Sequence, residues 1–590
     1  MAKKYALVSV SDKSNLNVIV NFLHSKGYII LSTGGTYRYI YDYHENTRES
    51  LVQVSDYTGF PEILNGRVKT LHPKIYGGLL WDDRFDTTGI QKIDIVVVNL
   101  YPFQKTVANP DATLDEAIEN IDIGGVSLIR AAAKNFKNIK LLTNPDDYRQ
   151  ATMMFDDDEF WRDMAIKGFD HVTEYDAAIT QYLSNDTLVY RRYSSMKPLK
   201  YGCNPYQRNA SILSQDPDKF PFKIINGVPG YINCIDAIQS WSLVRELYES
   251  TGLVAAASFK HTAPAGVALA DRNLTNTEAQ FFGMENALEM NGSNSLHAYV
   301  KARNCDPLSS FGDFIAVCGT VDFACAKYIS NCVCDGIIAT NYTIEALEIL
   351  FKKKSGKFIV LQGNNEAPSG VEYREIGGAV LSQDINTKTL KLEDLNYVMT
   401  DASRELSTEE KRDMILATIT LKYTPSNSIT IATENTCVGI GAGQQNRLDC
   451  IKLAGNKSRE WRLRHHPKVF ALSSLFREGV KRQDRVNATI KYIRDDFVGN
   501  ELALWSELFT NPPLKLTEAE KNEFLDSESR KIVLSSDAFM PFRDNVDTAK
   551  KYGVSSIVQP GGSVADSSVI GACNEYGITM VFTNTRFFLH

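Results

Sequence analysis

Short apolar runs alternate with amphipathic stretches through the first third of the chain. "YALVSV" reads as a buried strand, "SDKSN" as a polar turn and "LNVIVNFLHSKG" as an amphipathic helix ended by Gly27. "YIILS" is then a strand, "TGGT" a tight turn and "YRYIYDY" the next helix. Strand, turn and helix repeating at this spacing predict an α/β unit with a parallel sheet and crossover helices. "IDIVVVNLYPF" continues the pattern as a buried strand, "IDIGGVSLIRAAAKN" as a helix that opens on Gly-Gly, and "IKLLTNP" as a further strand. Past the helical "HVTEYDAAITQYLSND" the composition changes in "YRRYSSMKPLKYG", which places the main boundary near residue 195. The remaining two-thirds mix strand and helix signals without an obvious repeat, and polar turns such as "SSFGDF", "LKYTPSNS" and "PGGSV" punctuate them.

Length and composition narrow the class. A chain of 590 residues is too long for one core, and a prior of about 150 residues per domain suggests roughly three or four units. A net charge of −7 gives no global basic field for nucleic acid or anionic lipid. The basic "KKK" at 352–354 closes a helical pattern and reads as a solvated face that complements the helix dipole. No apolar run approaches the roughly 18 residues of a membrane span, and "MAKKYALVSVSD" turns polar before a signal-type segment develops; the expectation is a cytosolic protein. Ten scattered cysteines, none before Cys203, then read as reduced core thiols.

Candidate chemistry gathers at strand ends, where parallel α/β sheets collect ligands. Ser11, Asp12 and Lys13 form one turn, and Ser32, Thr33, Gly34, Gly35 and Thr36 form another. Small hydroxyl residues and glycines at a helix start let backbone N–H groups reach an anion, so the pair resembles a phosphate cradle, although it lacks the G-x-x-x-x-G-K-[ST] pattern. "TGFPEILNGRVKTLHPKIYGGLL" reads as a long polar loop dense in cations, with Arg67, Lys69, Thr70 and His72 close together. Asn99 and Tyr101 end the next strand. Asp122 reads either as a helix cap or as a site carboxylate, and Lys134 either as a dipole partner or as a site cation. In the second region "AAASFKHTAPAG" ends an apolar strand in Lys260 and His261 before a Pro/Gly turn, a place suited to proton transfer.

These stretches carry a resemblance. "SVSDK", "STGGT", "TGFPEILNGRVKTLHP", "NLYPF", "IDIGGVSLIRAAAKN", "SFKH" followed by "PAG", "SSFGDF", "KYTPSNS", "GIGAGQQNR" and "SSDAFMPFRDN" occur in one order from residue 6 to the end. Together they resemble the bifunctional purine-biosynthesis family that joins phosphoribosylaminoimidazolecarboxamide (AICAR) formyltransferase to IMP cyclohydrolase. The resemblance implies a methylglyoxal-synthase-like parallel α/β domain at 1–195 for the cyclohydrolase. For the transferase it implies a region at 196–590 made of two cytidine-deaminase-like subdomains. Zinc relatives of the second fold carry H-x-E and P-C-x-x-C, which this chain lacks, so no metal is implied.

The resemblance also implies roles. Lys260 would stabilise the oxyanion of formyl transfer from 10-formyltetrahydrofolate, the co-substrate, and His261 would take the amine proton. Asn427 would orient amine and formyl group. Gly312 and Asp335 would meet the carboxamide and ribose, Arg447 folate or nucleotide, and Arg586 a phosphate. Phe539, Asp544, Ser563 and Val564 match folate-side positions, and Lys200, Tyr201 and Asn233 ribotide-binding ones. In the cyclohydrolase the two turns would seat phosphate. Arg67, Val68, Lys69 and Thr70, with Asn99 and Ile123, would hold the base. Tyr101, Asp122 and Lys134 would manage protons, Lys134 being the family's proton donor/acceptor. Two positions depart from the family: Lys200 stands for an arginine and loses its planar fork, and Tyr206 stands for a histidine.

The expected partners are therefore AICAR, its formylated product FAICAR, IMP and folate, in a homodimer, with neither nucleic acid nor membrane; a bound monovalent cation stays open. Two other readings remain: a chain in which only the cyclohydrolase is active, and a nucleotide sensor without catalysis. Lys134, Lys260 and His261 speak against the sensor.

Overall fold

The computed structural model describes residues 3–590 apart from 86, 283, 285–291, 368 and 402–404. The chain forms two compact units, Met1–Arg192 and Tyr193–His590, fewer than length alone suggests.

The first unit is built on a five-stranded parallel sheet in the order Leu51–Gln53, Tyr28–Ser32, Lys4–Ser9, Ile95–Val98, Lys140–Leu142. Its central strands are apolar throughout because helices cover both faces: Leu7, Val96 and Val98 point into one core, Ala6, Val8 and Val97 into the other. The loop expected over residues 58–80 is partly helical. Pro73 opens the helix Pro73–Leu79, whose start His72 caps by accepting the Lys74 N–H, and Ile75 and Leu79 anchor it in the core.

The second unit is built on an eleven-stranded mixed sheet, beside two small two-stranded ones. It contains a repeat that the pattern of apolar and polar residues did not reveal. A helix, Tyr231–Thr251, leads into the antiparallel hairpin Val254–Lys260 and Ala263–Ala270; three mutually parallel strands follow, Asp313–Val321, Cys334–Tyr342 and Ile359–Gly363. The helix Thr408–Lys422 leads likewise into Ile429–Thr433 and Thr436–Gly441, followed by Val533–Ser536, Ser556–Gln559 and Thr579–Phe582. The halves join antiparallel at Ala268 and Thr436. Insertions hide the repeat: residues 271–293 lengthen the first half after its hairpin, and residues 464–532 lengthen the second after the helix Arg447–Leu463. Much of the later insertion has a small core of its own around Tyr492, Trp505 and Phe509.

Alternation places successive hairpin residues on opposite faces, Ala255, Ala257 and Phe259 in one core and Ala256 in another. Where the return strand crosses a helix, each half uses glycine. A Cβ on Gly266 would lie 2.1 Å from the Ala302 carbonyl oxygen, and one on Gly439 would lie 2.1 Å from that of Ala454. Gly439→Ala is expected to destabilise the second unit by about 1–3 kcal/mol, the usual cost of overpacking, read as a lowered thermal transition. An unchanged transition would mean that helix and strand can part freely.

All ten cysteines are free and nine are buried. Lys354 lies on the solvated face expected for it, where it pairs with Asp335 at 2.8 Å.

Candidate active sites

In the first unit the carboxyl ends of the strands open on a cavity of about 560 Å³. Ser11, Lys13, Thr33, Gly35, Thr36, Arg67, Lys69, Thr70, Asn99, Tyr101, Asp122 and Ile123 line it. The Thr33 side chain makes no cap hydrogen bond to the helix Gly34–Tyr43, which leaves the first N–H groups there available to an anion.

Several expected ligands turn out to shape the wall. Asn99 accepts the N–H groups of Ser11 at 2.6 Å and Asp12 at 2.9 Å and donates to the Asp12 carbonyl, which fixes the first turn. The Thr36 hydroxyl donates to the Val10 carbonyl and accepts the Val10 N–H, tying the two turns together. Ser32 is buried and donates to the Val8 carbonyl. Asp12 accepts the Ser14 N–H, and Val68 bridges to Ile63. Gly34, at φ 47°, leaves room for Lys69, whose Nζ would lie 3.2 Å from a Cβ there.

Asp122 does both things its position allowed. It caps the Gly125 N–H at 2.6 Å, and it faces Lys69 across the cavity. Burial pushes its carboxyl above the ordinary range, against the pull of that N–H and of Lys69. Tyr101 is raised by burial and by the nearby Asp122 and Glu119. Glu119, which sequence reading passed over, lines the cavity and pairs with Arg67. Lys134 lies apart from the other expected residues. It ends the helix Gly124–Lys134, about 15 Å along the axis from the start that borders the cavity, and is exposed rather than part of the lining.

In the second unit the chain reverses at His261 and Thr262 themselves, both at positive φ; Pro264 and Gly266 lie inside the return strand, beside a bulge. This replaces the expected Pro/Gly turn. His261 and Lys260 border a cavity of about 330 Å³ with Ser309, Ala442 and Lys457. The Lys260 Nζ donates to the Phe311 carbonyl at 2.7 Å and lies beside Gly312. Asp236, on the helix Tyr231–Thr251, accepts the Thr262 N–H at 2.8 Å. Burial lifts Asp236 to about 6, while that N–H and His261 draw it down. The Tyr201 hydroxyl donates to Asn233 at 3.0 Å, and burial followed by the Asp335 charge raises its pKa. Lys200 is exposed, with its N–H on the Pro229 carbonyl.

Asn427 donates to the Gln444 carbonyl at 2.9 Å and accepts from Arg447 at 2.8 Å. Arg447 is buried and also holds Asp537 at 2.5 Å and Ser536 at 2.8 Å, so within this chain it orients Asn427 instead of standing open to folate or nucleotide. Phe539 and Val564 are exposed, Ser563 donates its N–H to Asp566, and Asp544 accepts from Asn545. None of these four residues lines the cavity of Lys260 and His261. The exposed Arg586 stacks on Phe588 at 4.6 Å.

Two units, each with its own cluster of cations, acid–base groups and glycine turns, define a two-centre enzyme. Comparison with known proteins is specific about which. A family described as AICARFT/IMPCHase bienzyme matches residues 132–457, and an MGS-like domain matches 15–127. The bifunctional purine biosynthesis protein PurH of Magnetococcus marinus is 34% identical over 626 residues, with all of both chains covered. Among solved structures, the crystal structure of ForH is 30% identical over 31% of this chain and 100% of that one, with a TM-score of 0.27. The chain belongs to the AICARFT/IMPCHase bienzyme family. It is a bifunctional enzyme of purine biosynthesis, an AICAR formyltransferase and an IMP cyclohydrolase.

Proposed function

We propose that the second unit transfers a formyl group from 10-formyltetrahydrofolate to the 5-amine of AICAR, and that the first unit closes the product, FAICAR, to IMP with loss of water. The observation that carries the assignment is the pairing of Lys260 and His261 on one hairpin end, with the Lys260 Nζ fixed beside Gly312. The weakly nucleophilic amine attacks the formyl carbon as His261 takes its proton. Lys260 stabilises the oxyanion, and collapse breaks the bond to folate nitrogen, which regains a proton. Asn427, held at both ends of its amide, orients the reacting groups. Lys200, Tyr201, Asn233 and Asp335 take the ribotide side; Phe539, Asp544, Ser563, Val564 and Arg586 take the folate and phosphate side.

Ring closure is intramolecular and needs substrate folding more than strong chemistry. Ser11, Lys13 and the Thr33–Thr36 turn seat the phosphate, Lys69 polarises the formyl oxygen with Arg67 and Thr70, and Asp122 and Tyr101 manage the proton. The repeated halves of the second unit are taken as its two cytidine-deaminase-like subdomains. The folate-side residues and His261 do not share a cavity, which supports a homodimer whose transferase sites draw on both copies. No helix among the described residues is long and apolar enough to cross a membrane, in keeping with a cytosolic setting. The test is to supply AICAR and 10-formyltetrahydrofolate to the whole chain: FAICAR should form and pass on to IMP, and formation of neither would refute the assignment.

A further inference from the structure

The two hairpin turns of the second unit are twins. Lys260 pairs with Ala263, and His261 and Thr262, between them, have φ of 55° and 60°. Thr433 pairs with Thr436, and Glu434 and Asn435, between them, have φ of 52° and 58°. Positive φ at both central positions gives the tight hairpin that matches strand twist, yet it suits Asn and Gly and is an outlier for a β-branched residue such as Thr262. Such a backbone persists only when its surroundings over-determine it.

The surroundings are the same in both halves. Asp236 is the sixth residue of its helix, is buried, and accepts the N–H of the second turn residue, Thr262, at 2.8 Å. Asp413 is also the sixth residue of its helix, is buried, and accepts the N–H of Asn435 at 2.7 Å. Only the first turn carries an imidazole. The aspartate is thus a framework device of the repeated fold, and the first half has placed a base on the turn that it holds.

We propose that Asp236 is a positioning residue for formyl transfer: by gripping the Thr262 N–H it fixes the turn that aims His261 at the amine. The proposal rests on the reading of His261 as base. Substrate grip lies elsewhere, on residues such as Lys200 and Tyr201, so loss of Asp236 acts on turnover and leaves binding alone.

The test uses the full-length chain and measures both activities in each preparation. Asp236→Ala is expected to lower the transferase kcat about 100-fold, the scale of a misplacement near 1 Å, with KM for AICAR unchanged. Asp236→Asn, which keeps an acceptor oxygen, should recover most of that loss. Asp413→Ala, the same deletion on the twin turn, should leave transferase kcat unchanged, and ring closure of FAICAR should be unchanged in all three. Unchanged kcat in Asp236→Ala, an equal loss in Asp413→Ala, or no recovery in Asp236→Asn would each overturn the proposal. If Asp236→Ala does not fold, Asp236→Glu, which shifts the acceptor by one methylene, should show the same loss of kcat without change in KM, and unchanged kcat there overturns it equally. Full transferase activity in His261→Ala would instead remove the reading beneath it, whatever Asp236 does.

Discussion

His261→Ala is expected to abolish formylation of AICAR while supplied FAICAR still closes to IMP at the unmodified rate. The aromatic 5-amine is a poor nucleophile, and removal of a positioned general base costs roughly 10²- to 10⁴-fold. His261 stands at a hairpin end with Lys260 adjacent, and the Lys260 Nζ is tied to the Phe311 carbonyl, so the cation stays in place when the imidazole is removed. The histidine is on a surface turn, and its loss leaves the apolar faces of both hairpin strands intact. Folding should therefore survive. A coupled assay checks this: FAICAR absent from the AICAR reaction, and IMP formed normally when FAICAR is added directly. Transfer within about threefold of the parent would show that another group is the base, since general-base losses lie far above that.

The opposite lesion is expected from Asp122→Asn. AICAR should still be formylated, FAICAR should accumulate, and ring closure should fall about 100-fold or more. The side chain keeps its shape and can still accept the Gly125 N–H, so the change isolates the charge opposite Lys69. Burial holds the Asp122 carboxyl above its usual pKa, which makes it a stronger base when ionised. The acid limb of ring closure should accordingly lie above the ordinary carboxylate range, since activity that requires the ionised form is lost as pH falls through a raised pKa. In Asp122→Asn that limb should vanish. A profile of unchanged shape would assign the limb to another group.

What could be read in advance followed periodicity and spacing. The strand "YIILS" and the helix that begins at Leu16 emerge where alternation of apolar and polar residues places them, because burial dictates those choices locally. The residues around the first cavity were also legible, since strand-end turns converge in a parallel sheet. Their partners were not. Thr36 and Asn99 have the chemistry of ligand donors, but their hydrogen bonds are spent on neighbouring turns, a choice made across 26 and 88 residues. Arg447 is committed to Asp537, 90 residues away. Lys134 follows its motif faithfully in sequence, yet helix rise carries it away from the cavity. The repeat was invisible to patterning along the chain because its insertions are of unequal length and lie at different points, so no fixed period survives.

The joint between Ala268 and Thr436 bears on synthesis as well as on architecture. Every strand of the first unit has left the ribosome once residue 142 has emerged, and the long helix that covers its sheet ends at Leu183. That unit can gain its core while most of the chain is still unmade. The second unit has no such freedom: its first hairpin must wait for Thr436 to cover its open edge, and its edge strand, Thr579–Phe582, emerges later still. During that interval an apolar half-sheet is exposed in the nascent chain, and the second unit is where aggregation, and the help of chaperones, should concentrate.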